Sequence, residues 1–116
     1  MSEGIASWVD GYQHAWDTND PADIIALFTP DAEYRAAPHD APWVGHDAIV
    51  AGWLGARDEP GDATFSWRAL VDNPDIGVVQ GVTVYANSST YDNLWIISLA
   101  PDGRARSFTD WWVERG

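Results

Sequence analysis

Apolar residues in the first half of the chain recur at the spacing of amphipathic helices. The opening segment carries them three or four positions apart, at Ile5, Trp8, Val9, Tyr12 and Trp16. This spacing predicts a helix over residues 3 to 18. A similar run later in the chain comprises Ile49, Val50, Trp53 and Leu54. It predicts another helix from about Asp47, which is expected to cap it, to near Gly55.

Between these two segments, the sequence predicts a further helix and a short strand. Asp20 is a favourable N-cap, and Pro21 suits the first helical turn. Apolar positions extend this helix through Phe28, and Pro30 is expected to end it. Residues 32 to 37 are predicted to form a short strand, and a loop with Pro and His residues follows.

The second half of the chain is typical of consecutive β-strands. Four extended runs cover about residues 63–72, 76–86, 91–100 and 104–114. The segments before and between them favour turns: Pro60-Gly61, Asn73-Pro74-Asp75, Asn87-Ser88-Ser89-Thr90 and Pro101-Asp102-Gly103. The predicted order is therefore α-α-β-α-β-β-β-β. Helices first and strands last favour an α+β fold with an antiparallel sheet, in a single domain over residues 1–116.

Both faces of the predicted sheet carry apolar residues. In the third run, one face carries Tyr91, Asn93, Trp95, Ile97 and Leu99, and the other carries Leu94 and Ile96. The second run places Val79, Thr83 and Tyr85 opposite Ile76, Val78, Val82 and Val84. An antiparallel sheet with one solvated face alternates apolar and polar residues more cleanly than this. Because three helices can cover only one face, we expect a homodimer through the outer face of the sheet.

Composition excludes several kinds of chemistry and partner. The chain has no Cys, and its six basic residues are all Arg, which excludes thiolate metal sites, Cys nucleophiles and Schiff-base catalysis. A net charge of −12 disfavours nucleic acid and anionic membrane surfaces as partners. The sequence shows neither a signal-peptide pattern nor an apolar stretch of membrane-spanning length. A cytoplasmic location is therefore expected.

Aromatic residues are abundant, with eight Trp, four Tyr and three Phe in 116 residues. Rings of this size can simply fill the core of a small domain. They can also line a cavity that accepts a small hydrophobic ligand, because ligand pockets are mostly apolar with a few polar groups. The composition alone leaves both interpretations open.

Several local strings, in their order and spacing, resemble the SnoaL-like branch of the NTF2-like superfamily over essentially the whole chain. They are Ala15-Trp16-Asp17, Asp20-Pro21…Leu27-Phe28, Asp31-Ala32-Glu33-Tyr34-Arg35, Gly45-His46-Asp47-Ala48-Ile49 and Asp102-Gly103-Arg104…Phe108-Thr109-Asp110-Trp111-Trp112. The resemblance implies a cone in which three N-terminal helices pack in a curved, mainly antiparallel sheet around a blind pocket. It also implies frequent dimers through the outer sheet face. No single activity is implied, because members include isomerases, hydrolases, dehydratases, cyclases and non-catalytic subunits.

Asp110 is the candidate catalytic residue. By strand alternation it shares a face with Phe108 and Trp112, so its carboxyl is expected among aromatic rings, where burial raises the pKa. Such a carboxyl can act as a general base near neutral pH. The SnoaL-like cyclases, which this final strand resembles, carry an Asp base at the matching position. The alternative is a structural role for Asp110, either as a cap or as a cross-strand partner of Arg68 or Arg106.

Aromatic and polar side chains on neighbouring elements are the candidate ligand-binding residues. They are Trp16, Tyr34, His39, Trp53, Tyr85, Asn93, Trp95, Phe108 and Trp112. Gln80 is a further polar residue in an apolar strand, but it lies on the opposite face from Tyr85. His39 and His46 are each followed by Asp, yet no recognised metal-binding pattern is present. Neither a metal nor another cofactor is expected.

Three functional interpretations follow from these observations. The first is a cofactor-free isomerase, cyclase or lyase that acts on a small apolar cyclic molecule, with Asp110 moving a proton. The chain lacks the Arg-x-Asp pair of limonene-epoxide-hydrolase-like members, so epoxide hydrolysis is not favoured. The second is a non-catalytic dimer that binds such a molecule. The third is a structural dimer whose cavity is filled by its own indoles, which predicts ring-to-ring packing of Trp16, Trp53, Trp95 and Trp112.

Overall fold

The computed structural model describes residues 4–56, 59, 61–87 and 89–115, which form three helices and six strands. In chain order these are α1 (Gly4–Thr18), α2 (Pro21–Ile25), β1 (Phe28–Arg35), β2 (Trp43–Val44), α3 (His46–Gly55), β3 (Ala63–Asp72), β4 (Ile76–Tyr85), β5 (Thr90–Leu99) and β6 (Ala105–Glu114). The predicted α+β class is confirmed, and β2 is one short strand that the sequence pattern does not predict. Within the described ranges, no helix is long and apolar enough to span a membrane.

Helix α1 packs one apolar face against the sheet. Its buried residues are Ile5, Trp8, Val9, Tyr12 and Ala15, which repeat at the three- and four-residue spacing of one helix face. The helix predicted over residues 3 to 18 is therefore confirmed from residue 4 onwards, and residue 3 lies outside the described residues. Trp8 Nε1 donates to the Leu27 carbonyl oxygen over 2.9 Å, which ties α1 to the chain that enters β1.

Helix α2 is shorter than the sequence pattern predicts. It ends at Ile25 and Phe28 opens β1, so the prediction that the helix continues through Phe28 is wrong. Phe28 is fully buried and pairs with Ala105 of β6, a contact that requires extended backbone. Pro30 lies where the register between β1 and β6 shifts, and such an irregular stretch tolerates the missing amide proton. Asp20 caps α2 as predicted, because its carboxylate accepts from the amide two residues later over 3.0 Å.

The six strands form one sheet in the order β2-β1-β6-β5-β4-β3. All neighbouring pairs are antiparallel except β1 and β6, which run parallel. The strand predicted over residues 32 to 37 is β1, which begins earlier and ends at Arg35. Strands β3 to β6 match the four predicted late strands to within one residue at each end. The parallel pairing places the last strand of the chain between the first strand and the antiparallel meander.

Helix α3 has nearly the predicted bounds, but its N-terminus is built differently. Its N-cap is Gly45, with no capping hydrogen bond from a side chain, so the predicted capping role of Asp47 is wrong. Gly45 has a φ of 87°, a conformation that glycine adopts without the steric penalty of a side chain. Asp47 lies in the first turn instead, where a negative charge is favourable near the positive end of the helix.

The two faces of the sheet differ in burial, and residues alternate between them along each strand. The inner face packs against the helices and carries the buried residues Val79, Thr83, Asn93, Trp95, Ile97 and Phe108. The outer face carries exposed apolar residues, namely Val71, Ile76, Val84, Ile96, Trp111 and Val113. Because the register between β4 and β5 is continuous, residues on these strands keep the face that alternation assigns to them.

Candidate functional site

The helices and the inner face of the sheet border a cavity of about 310 Å³. It is lined by Tyr12, Trp16, Tyr34, Ala36, Trp43, Trp53, Ala56, Thr83, Tyr85, Tyr91, Asn93, Trp95, Asp110 and Trp112. Its volume is at the low end of the range of about 300–1,000 Å³ that is typical of ligand pockets. The four indoles expected to pack ring to ring in a filled core all border this space, so they leave room between them.

Asp110 lies on β6 and is held by a chain of hydrogen bonds across the sheet. The side-chain amide of Asn93 on β5 donates to both Asp110 carboxylate oxygens, over 3.2 and 3.4 Å. The hydroxyl of Thr83 on β4 donates in turn to Asn93 Oδ1 over 2.8 Å. The three residues lie on three adjacent strands, so strand pairing itself fixes the direction in which the carboxyl faces.

Burial raises the pKa of Asp110 to about 6. The hydrogen bond from Asn93 and the nearby Trp95 indole N–H act in the opposite direction, because they favour the charged carboxylate. The Trp95 N–H is close to this carboxyl, but its geometry completes no hydrogen bond with any atom of the described residues. At neutral pH the carboxyl is therefore largely ionised and close to its pKa, which is the condition that suits a general base.

Two tyrosine hydroxyls meet beside the same cavity. The hydroxyl oxygens of Tyr12 on α1 and Tyr34 on β1 are 2.8 Å apart, and both side chains are buried. Burial raises the pKa of each tyrosine, and the negative charge of Asp110 contributes in the same direction, so both hydroxyls stay protonated at neutral pH. One hydroxyl donates to the other, which leaves the pair with one proton for a further acceptor.

The cavity brings together most of the predicted site residues. Asp110 lines it together with seven of the nine predicted ligand-binding residues, namely Trp16, Tyr34, Trp53, Tyr85, Asn93, Trp95 and Trp112. Phe108 does not line the cavity; it is fully buried in the core, where its ring stacks on Tyr34 with centroids 4.7 Å apart. His39 also lies outside the lining, on an exposed loop with its Nε2 3.5 Å from an Asp40 carboxylate oxygen.

The remaining polar candidates have structural partners. His46 Nε2 donates to the Phe28 carbonyl oxygen over 2.9 Å, which joins the start of α3 to β1. Gln80 lies on the outer face and accepts from Arg68 Nε over 3.0 Å, so Arg68 is engaged on the face opposite Asp110. In the part of the chain that the structure describes, no cluster of three or more His, Asp or Glu side chains could hold a metal ion.

Four lining residues with side chains suited to ligand contact are absent from the predicted set. They are Tyr12, Trp43, Thr83 and Tyr91. Tyr12 lies on the apolar face of α1. The sequence could have indicated it as a site residue, because a buried tyrosine hydroxyl needs a hydrogen-bond partner. Strand alternation puts Thr83 on the same strand face as the predicted residue Tyr85, and the structure shows that this face is the inner one. Trp43 lies on the unpredicted β2, where it stacks on Tyr34 with centroids 4.9 Å apart.

Comparison with known protein families identifies the fold. The sequence pattern of the SnoaL-like domain matches residues 9–114. The chain belongs to the SnoaL-like family. Among curated proteins, none matches it significantly in sequence.

Solved structures resemble this SnoaL-like chain in fold while sharing little sequence. A protein from Sphaerobacter thermophilus is 22% identical with a TM-score of 0.78, over 99% of this chain and 100% of that one. SalBIII is described as an epoxide hydrolase/cyclase-like enzyme in pyran ring formation in the polyether salinomycin. It is 14% identical with a TM-score of 0.71, over 93% of this chain and 89% of that one. A ketosteroid isomerase-like protein from Erwinia carotovora atroseptica SCRI1043 is 15% identical with a TM-score of 0.66, over 94% of this chain and 93% of that one. Proteins described as NTF2-like also match, so the NTF2-like fold is confirmed.

Proposed function

We propose that this SnoaL-like protein binds a small apolar cyclic molecule in the cavity and isomerises or cyclises it without a cofactor, with Asp110 as the general base. The observation that carries the proposal is the Asp110 carboxyl, held by Asn93 at the wall of a cavity lined mainly by aromatic rings. The rings supply apolar contact area and the carboxyl supplies proton transfer. The cyclase-like and isomerase-like descriptions of two structural relatives support this class of reaction.

For an isomerisation, the carboxylate of Asp110 removes a proton from a carbon that lies between a carbonyl group and a carbon–carbon double bond. The C–H bond breaks, an O–H bond forms on Asp110, and the electron pair moves onto the carbonyl oxygen. The free hydroxyl proton of the Tyr12–Tyr34 pair donates a hydrogen bond to that oxygen and stabilises its charge. Protonated Asp110 then returns the proton to a different carbon, so the reaction consumes nothing else.

The alternative is a protein that binds the same kind of molecule without transforming it. The cavity supports this function equally, and only the position and pKa of the Asp110 carboxyl favour catalysis. In either case, the net charge of −12 favours an uncharged ligand over an anionic one.

We also propose that two copies of the chain associate through the outer face of the sheet. Val84, Ile96 and Trp111 lie on that face with 43%, 37% and 49% of their surfaces exposed. Several exposed apolar side chains on one sheet face are more typical of an interface than of a solvated face. An isologous dimer covers this surface and leaves the cavity free, because the sheet residues that line the cavity lie on the inner face.

Ligand binding and turnover can be tested separately. A thermal-shift screen at pH 6 and pH 8 against small cyclic ketones and phenols identifies a ligand, because binding to the folded state raises the unfolding temperature. Liquid chromatography with mass detection, which separates isomers of equal mass, then looks for product with the wild type, with Asp110→Asn and with Asp102→Asn, an exposed control in the β5–β6 turn. We expect both variants to bind, and only Asp110→Asn to lose turnover, by a factor of about 10²–10⁴.

The other outcomes distinguish the proposals. Full turnover by Asp110→Asn overturns the role of Asp110 as the base. Binding without product from any of the three proteins supports the non-catalytic alternative. If no compound changes the unfolding temperature at either pH, the proposed binding of small cyclic molecules is wrong.

A further inference from the structure

The indole N–H of Trp95 is a buried donor without an acceptor. Trp95 lies on β5 with 2% of its surface exposed, and its ring stacks on Phe65 with centroids 4.5 Å apart. Among buried side-chain nitrogen and oxygen atoms of the described residues, Trp95 Nε1 alone has no hydrogen-bond partner. Because buried polar groups of folded proteins nearly always have a partner, this donor requires a physical explanation.

Two other indoles that line the cavity use their donors within the protein. Trp53 Nε1 donates to Asn19 Oδ1 over 3.0 Å, and Trp112 Nε1 donates to the Ala36 carbonyl oxygen over 3.1 Å. These two rings therefore offer a ligand only contact area. Trp95 differs from them, because its N–H lies close to Asp110 but completes no hydrogen bond there, so it remains available to a ligand.

The available N–H lies next to the Asp110 carboxyl. Trp95 and Asp110 are paired across β5 and β6, and both line the cavity. The N–H is close enough to favour the ionised carboxyl, whose two oxygens already accept from Asn93 Nδ2. A donor and a proton acceptor thus occupy neighbouring positions in the wall of one cavity.

We propose that the Trp95 N–H donates a hydrogen bond to an oxygen on the bound ligand and thereby selects uncharged ring compounds that carry a carbonyl group. This inference rests on the proposed function, since it requires that the cavity bind a ligand. A carbonyl oxygen has two lone pairs, so it can accept from Trp95 and from the Tyr12–Tyr34 pair together. An oxygen at this position places the carbon atoms next to the carbonyl beside Asp110. An anionic ligand group is disfavoured there, because it is repelled by the carboxylate.

A pair of probes with the same ring framework measures this preference. The dissociation constants of 1-indanone, which carries a carbonyl, and of indane, which does not, are determined for the wild type, for Trp95→Phe and for Trp53→Phe. Trp53→Phe is the matched control, because it shortens a cavity-lining ring whose N–H is already bonded to Asn19. We expect the wild type and the control to prefer 1-indanone, and Trp95→Phe to lose that preference by about five- to tenfold.

The possible results separate this inference from the proposed function. If Trp95→Phe keeps the wild-type ratio of the two dissociation constants, the inference is wrong although the cavity binds ligands. If neither probe binds to the wild type, both the proposed binding function and this inference are overturned.

A second measurement keeps the test decisive if Trp95→Phe does not fold. In the wild type labelled with ¹⁵N at tryptophan, 1-indanone should shift one indole N–H signal downfield strongly, and indane should not. Trp53→Phe removes one other signal and should leave the responding one in place. If no indole signal distinguishes the two probes, or if the responding signal belongs to Trp53, the inference fails.

Discussion

At the scale of single residues, Asp110 links folding stability to pH. Its pKa rises from 3.8 to about 6 on folding, so between these values the folded protein holds a proton that the unfolded chain has released. Stability contributed by this group is therefore present at low pH and is lost as the pH rises through about 6. The difference between the two pKa values corresponds to about 3 kcal/mol. We expect Asp110→Asn to raise the free energy of unfolding by up to about 3 kcal/mol at pH 8 and by much less at pH 4.

Chemical denaturation of both proteins at the two pH values measures this effect. All other ionisable groups are common to both proteins, so their contributions cancel in the difference. Two results would contradict the conclusion that Asp110 is a charged carboxyl in an apolar site at pH 8. One is a variant that is less stable than the wild type at pH 8, and the other is a variant whose free energy of unfolding differs from that of the wild type equally at both pH values.

Thr83 acts on Asp110 through Asn93. Thr83→Val removes the hydroxyl that donates to Asn93 Oδ1, so the Asn93 amide is no longer held towards the carboxyl. Because the bond from Asn93 lowers the pKa of Asp110, we expect that pKa to lie above the wild-type value in the variant. The buried amide oxygen also loses its partner, which costs about 1–3 kcal/mol of stability. Titration of the Asp110 carboxyl carbon by NMR measures the pKa directly.

Thr83→Ser is the matched control for this prediction, because it keeps the hydroxyl and changes only a methyl group. It should leave the pKa of Asp110 near that of the wild type. An unchanged or lower pKa in Thr83→Val would show that Asn93 orients itself without Thr83.

At the scale of elements, helix α3 contains a glycine that packing requires and one that it does not. A side chain at Gly52 would overlap the ring of Trp43, whereas Gly55 has nothing within 4 Å of such a position. Replacing a helical glycine with alanine stabilises the folded state by up to about 1 kcal/mol. A side chain that overlaps its neighbours destabilises the folded state by about 1–3 kcal/mol. We therefore expect Gly52→Ala to be destabilised and Gly55→Ala to be neutral or slightly stabilised. Urea unfolding measures both, and a stable Gly52→Ala would show that Trp43 moves freely.

The elements that the sequence predicts well are those with regular periodicity. Helix α1 and strands β3 to β6 have clear spacing, and strand alternation groups Thr83 with Tyr85 and Asn93 with Trp95. Only the packing of the helices shows that these groups lie on the inner face. The end of α2 is misplaced because the apolar residues after Ile25 fit a helix as well as a strand. Only their pairing with β6, which is distant in sequence, makes them extended. Strand β2 has two residues, too few to show any period.

At the scale of the whole molecule, the site depends on one pairing that periodicity does not encode. The parallel contact between β1 and β6 places Tyr34 opposite Phe108 and brings the hydroxyl of Tyr34 to the side of the cavity where Asp110 lies. Asp110 could be proposed from its position on a strand face and from the family resemblance. Its hydrogen bonds to Asn93 and the meeting of Tyr12 with Tyr34 require three-dimensional placement, because these residues come from separate parts of the chain.

The outer sheet face tests the proposed dimer. Ile96 lies near the middle of this face with 37% of its surface exposed, and Ile25 on α2, away from it, has 36% exposed. We expect the wild type to have twice the chain mass by light scattering, Ile25→Asp to keep that mass, and Ile96→Asp to be a monomer, since a buried unpaired charge strongly opposes association. Two copies with a charge of −12 each also repel one another, so added salt should strengthen the dimer by screening that repulsion. A monomeric wild type at high salt would show that the face is not a self-association surface, and a dimeric Ile96→Asp would place the interface elsewhere.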